Sequence, residues 1–366
     1  MSVWPISIRF WPRPFILIVS CFSFNESINA WTATDIESGG KKAENILQML
    51  LDFHHNGNPD IRPDARSFSH IISFYSRSSD PEAAERAELM LLGMIDMFKR
   101  GYNDCLPNLQ CFASVILCYT NSQIADAGIR AERILHHLED LHDSHGIENL
   151  TPNTYIMNLV LNAWSKSENE LASERMEEIL LHMEKQSIAN TRSYGLVLAS
   201  WRTSSSPEKA RRAQQLLRLM REKSKKNKNI TENTQCYKAV IKAAGATDGS
   251  LDERIKAFSV ATATMQELLN SNIRLNPSSF VLFFKACSKL SIPLGLADPQ
   301  IERTFDRCKR LGLVNSSVLT QLKFSASPQR YQKLLGKYSR KISDTIEIND
   351  IPSEWRRNLS PSDELD

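Results

Sequence analysis

Aspartate or asparagine residues recur at seven points along the chain, each shortly before a stretch rich in apolar residues. Their side-chain oxygens can accept backbone N–H groups and so begin a helix, or an asparagine can sit in the left-handed turn that ends one. An amide also offers donors and acceptors to an outside partner. The seven residues are Asp64, Asn108, Asn153, Asn190, Asn233, Asn276 and Asn315.

Catalytic and metal-binding patterns are missing elsewhere in the sequence. His136, His137, His142 and His145 lie in one segment, but their spacing does not repeat the i, i+4 zinc pair, and a solvent-facing helix end is the simpler interpretation. There is no phosphate-binding loop, dinucleotide fingerprint, nucleophile elbow, kinase set or deaminase combination of HxE with CxxC. The sequence therefore predicts a protein that is not an enzyme and that uses neither metal nor cofactor.

Composition narrows the class of protein further. The 366 residues include 42% hydrophobic and 24% charged residues, which is enough to bury a core and too apolar for general disorder. The net charge of +3 excludes a uniformly basic coat but permits a local basic face. Seven cysteines, none in a CxxC pair, argue against a disulfide framework and favour a reducing compartment.

Apolar residues repeat with a period of about 42 residues, which indicates a repeat protein. From each anchor residue, further apolar residues follow at four and seven positions, as Ile28 and Trp31 follow Phe24. That spacing places one apolar stripe on a helix. The anchors are Phe24, Phe68, Phe112, Met157, Tyr194, Tyr237, Phe280 and, more weakly, Leu319.

A second helix is predicted after each first one. It usually shows a small residue followed by apolar residues four and seven positions later, as in Ala131, Leu135 and Leu138. Pro81 and Pro207 are well placed to begin second helices. The sequence therefore predicts an all-α protein, a right-handed α-solenoid of about seven helix–turn–helix repeats. The expected repeats are 21–64, 65–108, 109–153, 154–190, 191–233, 234–276 and 277–315, with a partial unit at 316–345.

The boundary motifs resemble those of the pentatricopeptide repeat family. A Pro-Asp or Pro-Asn step occurs at Pro63, Pro107 and Pro152, and a small residue followed by an aromatic comes soon after most boundaries, as in Ser193-Tyr194 and Cys236-Tyr237. The resemblance covers about residues 21–320. These repeats are longer than the usual pentatricopeptide unit, and the additional residues fall in predicted loops.

The resemblance implies an RNA-binding surface with named residues. In this family, the residue after the anchor and the last residue of the repeat read one base, and a residue near the helix start flanks it. Ala113, Lys238 and Val281 do not match known reading pairs. The implied pairs are Asn25 with Asp64, Ser69 with Asn108, Asn158 with Asn190, and Gly195 with Asn233, and the implied flanking or backbone-contacting residues are Arg66, Tyr155 and Arg192.

Other interpretations of these residues stay open at the level of sequence. Each boundary Asp or Asn could simply cap the following helix. The segment Arg221–Lys228 carries five Lys or Arg residues, which suit either phosphate contacts or a solvated loop. We expect the Phe, Tyr and Trp stripe, including Trp164 and Trp201, to form core and not to stack on bases.

The leading functional hypothesis is a non-catalytic single-stranded RNA-binding adaptor in organellar RNA processing, stability or translation. Its partners would be single-stranded RNA and a processing or translation factor, with no small-molecule substrate and no membrane span. The alternative is an α-helical protein–protein interaction scaffold that does not bind RNA, and a weaker one is a nuclease or editing subunit.

The two ends of the chain are expected to lie outside the repeats. Residues 1–20 contain a short apolar run after Arg9 and Arg13, which predicts a targeting segment, a signal peptide or an inaccurate start with upstream repeats missing. By resemblance to the family, the expected location is the mitochondrion or plastid. Residues 346–366 are polar and acidic, and we expect a flexible tail.

Overall fold

The computed structural model describes residues 20–34, 38–56, 61–338 and 346–360, and these residues form helices and no β-strand. The targeting segment expected at residues 1–20 lies outside the described residues except for Ser20. The helices are α1 (Cys21–Thr32), α2 (Gly39–His55), α3 (Ala65–Tyr75), α4 (Pro81–Lys99), α5 (Leu109–Asn121), α6 (Ala127–His145), α7 (Thr154–Lys166), α8 (Ala172–Lys185), α9 (Thr191–Ser200), α10 (Lys209–Ser224), α11 (Thr234–Ala244), α12 (Leu251–Asn270), α13 (Pro277–Leu290), α14 (Leu294–Arg310), α15 (Ser316–Ser325) and α16 (Pro328–Leu335).

The helices follow one another as first and second members of pairs. The first helices, which carry odd numbers, begin at residues 21, 65, 109, 154, 191, 234, 277 and 316, and these are the first residues of the repeats expected from sequence. The all-α repeat fold is confirmed for the described residues. None of the described helices is both long and apolar enough to cross a lipid bilayer.

The chain divides into two compact units, unit 1 at Met1–Pro152 and unit 2 at Asn153–Asp366. In unit 1, the first helices α1, α3 and α5 contact one another in order, and in unit 2 the same holds for α7, α9, α11, α13 and α15. Second helices such as α4 and α10 contact both their own first helix and the next one. Each unit is thus an interlocked stack of helix pairs, the packing of an α-solenoid.

Side-chain caps fix where most first helices begin. A helix leaves its first backbone N–H groups without intrahelical partners, and Asp or Asn before the helix can accept one of them. Asp64 accepts the Ser67 amide at 3.0 Å, and Asn108 accepts the Cys111 amide at 3.0 Å. Asn153, Asn190, Asn233 and Asn315 do the same, whereas Asn276, before Pro277, accepts no backbone amide.

The apolar stripes of both helices form a continuous core in each unit. The anchors Phe112 and Tyr194 and the small residues Ala131 and Ala213 are completely buried, so small side chains do stand where paired helices approach closely. Trp164 and Trp201 are also buried, as we expect of core residues, whereas Trp31 is only half-buried and has Lys42 Nζ 3.9 Å from its ring centroid. Burying a large aromatic side chain contributes on the order of 2–3 kcal/mol, so these stripes supply much of the stability.

Buried tyrosine–glutamate contacts join consecutive pairs in unit 1. The Tyr75 hydroxyl of α3 donates to Glu44 Oε1 of α2 at 2.7 Å, and Arg86 of α4 donates to Glu44 Oε2 at 3.1 Å. One repeat later, Tyr119 of α5 donates to Glu88 of α4. Each glutamate therefore ties its helix to both helices of the next pair. Burial, with Glu44 adding to it, raises the pKa of Tyr75, so the phenol stays a donor.

Glycine is required where two helices approach most closely in unit 2. Gly245 directly follows α11, and a Cβ atom there would lie 2.9 Å from the Cα atom of Ala286 in α13. Any side chain would push these two helices apart, because that distance is shorter than van der Waals contact. Gly146 serves a different purpose, since it ends α6 with a φ of 64°, a left-handed conformation that favours glycine.

Residues 346–360 differ from the flexible tail that the sequence leads us to expect. The Val314 amide donates to the Trp355 carbonyl at 2.9 Å, and the Asn358 amide donates to the Gly312 carbonyl at 3.0 Å. The Trp355 ring packs edge-on against Phe305, with 6.0 Å between ring centroids. Trp355 thus packs its apolar ring onto α14, and residues 361–366 of the expected tail lie outside the described residues.

Candidate nucleic-acid interface

Charged residues are distributed unequally between first and second helices. The first helices, all of which the structure describes completely, contain a single carboxylate, Glu26 of α1. Every second helix from α2 to α14 carries at least one. Lys and Arg of the first helices lie mostly in unit 2, and they are Arg66, Lys166, Arg192, Lys238, Lys242, Lys285, Lys289 and Lys323.

Asn25 and Asp64, a pair expected from sequence, lie in direct contact in unit 1. The Asn25 amide Nδ2 donates to Asp64 Oδ1 at 3.0 Å. The Ser67 hydroxyl donates to Asn25 Oδ1 at 2.7 Å and lies 3.1 Å from Asp64 Oδ1. The cap of α3 is thereby joined to the side chain of α1, and Asn25 is only 7% exposed.

Asn158 and Asn190 repeat this arrangement in unit 2. Asn158 Nδ2 donates to Asn190 Oδ1 at 3.4 Å, and the Ser193 hydroxyl donates to Asn158 Oδ1 at 2.7 Å. Asn158 is also 7% exposed, and Asn190 caps α9 just as Asp64 caps α3. The same three-residue network therefore serves both pairs, with Ser67 and Ser193 as the bridging members.

These networks determine how many hydrogen-bonding groups of each asparagine remain available to a ligand. An asparagine side chain has two N–H donors and two acceptor lone pairs. In Asn158 one of each is used, so one donor and one acceptor remain. In Asn25 the amide nitrogen also lies 3.6 Å from Cys21 Sγ, within a sulfur hydrogen bond. Burial, followed by the charge of Asp64, raises the pKa of the Cys21 thiol, which keeps it neutral.

Ser69 and Asn108, also in unit 1, are more accessible than Asn25. Asn108 caps α5 and is exposed, and the Ser69 hydroxyl donates to the Arg66 carbonyl at 3.3 Å. The Arg66 side chain is exposed at the start of α3. No hydrogen bond or ion pair engages its guanidinium group among the described residues, which leaves it open to an anion.

A cavity of about 870 Å³ lies along α9 and α11 in unit 2 and contains the fourth expected pair. Gly195 and Asn233 both line it, together with Asn190, Arg192 and Gln235. A Cβ atom at Gly195 would meet no neighbouring atom within 4 Å, so the reading position opens directly into the cavity. The structure thus gathers residues from two expected pairs at one surface.

The charge of this cavity is entirely positive. Its lining contains Arg192, Arg202 and Lys242 and no Asp or Glu among the described residues. All three cations are exposed, and none of them has a carboxylate partner in the described part of the chain. In contrast, a cavity of about 480 Å³ in unit 1 is lined by Asp80 and Glu82 as well as by Arg77 and Arg86. The cavity of unit 2 therefore suits a polyanion.

The remaining residues considered from sequence differ in exposure and in hydrogen bonding. Tyr155 stands 55% exposed near the start of α7, where its ring is accessible for stacking. Lys238 is buried, and its ammonium group donates to the Ser278 hydroxyl of the next repeat. Ala113 is buried and Val281 is half-buried, so neither offers a hydrogen-bonding side chain.

Sequence reasoning missed Arg202, Lys242 and the two bridging serines. Arg202 and Lys242 occupy the eighth and fifth positions after their anchors, which is the same helical face as the reading position. A charge count made separately for first and second helices would have found them once the repeat was in phase. No group of three or more His, Cys, Asp or Glu side chains among the described residues could hold a metal ion.

Comparison with known proteins gives similarity only at the level of solved structures. No family profile matches the chain, and no characterised protein matches it in sequence. The chain is similar to the pentatricopeptide repeat protein PPR10 from maize, with 14% identity and a TM-score of 0.36, over 87% of this chain and 48% of that one. PPR10 in complex with an 18-nt psaJ RNA element gives 13% identity and a TM-score of 0.37, over 87% and 50%. The chain thus spans about half the length of the structures it matches.

Proposed function

We propose that this protein binds single-stranded RNA along the concave face lined by its first helices, with unit 2 as the main binding surface. The observation that carries the proposal is the row of first helices in unit 2, from α7 to α15, which contains Lys and Arg but no carboxylate. A surface of this kind attracts a phosphate backbone, whereas the second helices carry carboxylates together with their Lys and Arg residues.

Phosphate contacts would supply most of the affinity. Arg192, Arg202 and Lys242 line one cavity with the polar side chains of Asn190 and Asn233, so a nucleotide there can meet cations and amides together. Arginine and lysine bind phosphate oxygens through charge-assisted hydrogen bonds. Because three cations are few, we expect modest affinity that falls with salt, with a slope of log affinity against log salt of only about 2 from this cavity.

Base recognition would come from the asparagine and serine pairs, one unstacked base per repeat. Asn25 with Asp64 is proposed to prefer uracil, Ser69 with Asn108 adenine, and Asn158 with Asn190 a pyrimidine. Gly195 with Asn233 is proposed to favour a purine, because the open cavity leaves room for the larger base. The internal bonds of Asn25 and Asn158 leave few free groups, so we expect preferences instead of strict specificity.

Selection of bound sequences from a random single-stranded RNA pool, at stated salt, tests this proposal. We expect enrichment of a motif with uracil, adenine, any base and then a pyrimidine along the repeats. The double variant Arg192→Gln with Lys242→Gln should weaken binding and reduce the slope of log affinity against log salt by about 1.4, because two phosphate contacts are lost.

The matched control is Lys256→Gln with Arg303→Gln, which makes the same charge change at exposed positions of the second helices α12 and α14. The control variant should bind RNA as the unaltered protein does. The proposal would be contradicted if the protein bound the selected RNA no more tightly than a scrambled polyanion. It would also be contradicted if both double variants lost the same RNA affinity.

A protein-interaction scaffold is the second candidate, and one observation favours it. Asn25 and Asn158 engage the caps of the next repeat, and Lys238 bonds Ser278, so these side chains have a structural use that needs no RNA. The same RNA titration separates the two functions, since a scaffold would show no salt-dependent binding to single-stranded RNA.

The cellular role we propose is occupancy of a transcript in a mitochondrion or plastid, where the bound protein would affect RNA processing, stability or translation. The sequence resemblance to pentatricopeptide proteins supports this setting. Expression of the full chain with a fluorescent protein at its C-terminus tests it, and diffuse fluorescence outside both organelles would contradict it.

A further inference from the structure

The segment Arg221–Lys228, which comprises the end of α10 and the start of the loop to α11, is rich in Lys and Arg. Its cations fall into two classes. Two of them are used inside the protein. Arg221 contacts Glu267 at 2.9 Å and Glu232 at 3.3 Å, and Lys223 contacts Glu184 at 2.9 Å. These ion pairs connect the end of α10 to neighbouring helices and leave Arg221 and Lys223 little charge to offer a ligand.

The other three cations face solvent without protein partners. Lys225, Lys226 and Lys228 are exposed, and within the described residues none of them has a side-chain hydrogen bond or an ion pair. Three lysines within four residues repel one another. Binding of an anion relieves this repulsion and is therefore favourable.

The loop has a defined conformation, which distinguishes it from a solvated segment. The Asn229 amide donates to Asn227 Oδ1 at 2.9 Å, and Ile230 is 1% exposed. The loop is also attached to the start of α9, because the Thr231 amide donates to the Thr191 hydroxyl at 2.8 Å and the Thr191 amide donates to the Asn229 carbonyl at 3.1 Å.

This attachment places the lysines beside the positive cavity of unit 2. Asn229 itself lines the cavity and directly follows Lys228, and Arg192 directly follows Thr191. Cations therefore continue from Lys242 and Arg202 through Arg192 to the loop. A strand of regularly spaced phosphates matches such a row of cations better than a compact anion does.

We propose that the RNA strand leaves the cavity across the α10–α11 loop, where Lys225, Lys226 and Lys228 hold its phosphates independently of base identity. This inference rests on the proposed RNA-binding function and adds a second contact region beyond the base-reading pairs. Thr191 acts as a positioning residue, because its hydroxyl and amide hold the loop against the start of α9.

The test is the salt dependence of RNA binding by the triple variant Lys225→Gln, Lys226→Gln and Lys228→Gln. Loss of three phosphate contacts should reduce the slope of log affinity against log salt by about 2. Between 50 and 200 mM salt, the affinity of the unaltered protein should therefore fall about 20-fold more than that of the variant. The sequences selected from a random pool should stay the same, since the lysines read no bases.

The matched control is Lys256→Gln, Arg303→Gln and Arg307→Gln, which removes the same charge from exposed positions on second helices. If both triple variants lower the slope equally, only net charge matters and the inference is overturned. If the unaltered protein binds poly-glutamate as tightly as RNA and the loop variant loses both equally, the loop binds polyanions in general and its assignment to RNA is overturned. Absence of any RNA binding refutes the proposed function as well, whereas binding with an unchanged slope refutes only the loop.

A second variant tests the positioning role without removing charge. Thr191→Val keeps the shape of the side chain and the backbone bond to Asn229 but lacks the hydroxyl that accepts the Thr231 amide, so the loop should be held less firmly and the slope should fall part of the way. Thr191→Ser should restore the slope, because it restores the hydroxyl. An unchanged slope in Thr191→Val would show that the attachment does not matter for RNA.

Discussion

Asn158 combines two uses that no inspection of the sequence could separate. With Asn190 it forms one of the proposed base-reading pairs, and the structure shows that the same amide joins α7 to the cap of α9. The buried side chain leaves one donor and one acceptor for a base. Removing Asn158 therefore has two consequences, one for stability and one for recognition.

Asn158→Ala should lower the free energy of unfolding by about 1–3 kcal/mol, because it removes two hydrogen bonds, one from the Ser193 hydroxyl and one to Asn190 Oδ1. Urea unfolding followed by circular dichroism measures this change. The control Asn162→Ala, on the same helix and half-buried, should cost less than about 0.5 kcal/mol.

Under conditions where the Asn158→Ala protein is folded, RNA selection should show weaker binding and a relaxed preference at the fourth base. An unchanged preference would remove Asn158 from the base-reading set and leave it with its structural use alone.

At the scale of single elements, the recurring Asp or Asn proves to be a helix cap in most repeats. The sequence left capping and base reading open, and the two are compatible, because a cap uses one side-chain oxygen and exposes the other side-chain group. Asn108 and Asn233 are capping residues that remain exposed. The exception is Asn276, where Pro277 removes one backbone donor at the first helical position and the Asn side chain bonds only Ser278 and Ser279.

Asn108→Ala should destabilise the protein by about 1 kcal/mol, because α5 loses its side-chain cap. Asn276→Ala is the internal control at the equivalent position of another repeat, and its cost should be clearly smaller. Chemical denaturation of both variants measures the difference, and equal costs would mean that the cap is not what stabilises these boundaries.

Unit 2 is stabilised by a segment that covers its helix stack as well as by the stack itself. In unit 2, residues 346–360 add backbone bonds to the segment between α14 and α15 and place Trp355 between Phe305 and Tyr338. Lys309 also lies over the Trp355 ring, 4.9 Å from its centroid. A stack of repeats needs such a terminal covering, because its last helices would otherwise expose apolar surface.

Trp355→Ala should therefore lower the free energy of unfolding of the protein by about 2 kcal/mol, through loss of the ring contacts with Phe305 and Tyr338. Thermal and urea unfolding monitored by circular dichroism would detect it. The neighbouring exposed residue provides the control, since Glu354→Ala should have little effect. Equal stability of the two variants would show that residues 346–360 contribute nothing to the fold.

The repeat itself could be derived from the sequence because helical periodicity is local. The stripe that begins at Phe112 or Tyr194 needs only residues within two turns, and the following cap needs only the Asp or Asn before it. The start of every first helix, the apolar core and the all-α class therefore depended on information that short windows contain.

Contacts between repeats could not be derived in that way, because they join residues about 30 to 50 positions apart. Only the tertiary structure decided that Asn25 bonds Asp64 and Ser67, that Arg192, Arg202 and Lys242 meet in one cavity, and that Trp355 packs on Phe305. The physical reason is the same in each case. Periodicity fixes which face a side chain occupies, whereas helix packing fixes which partners that face meets.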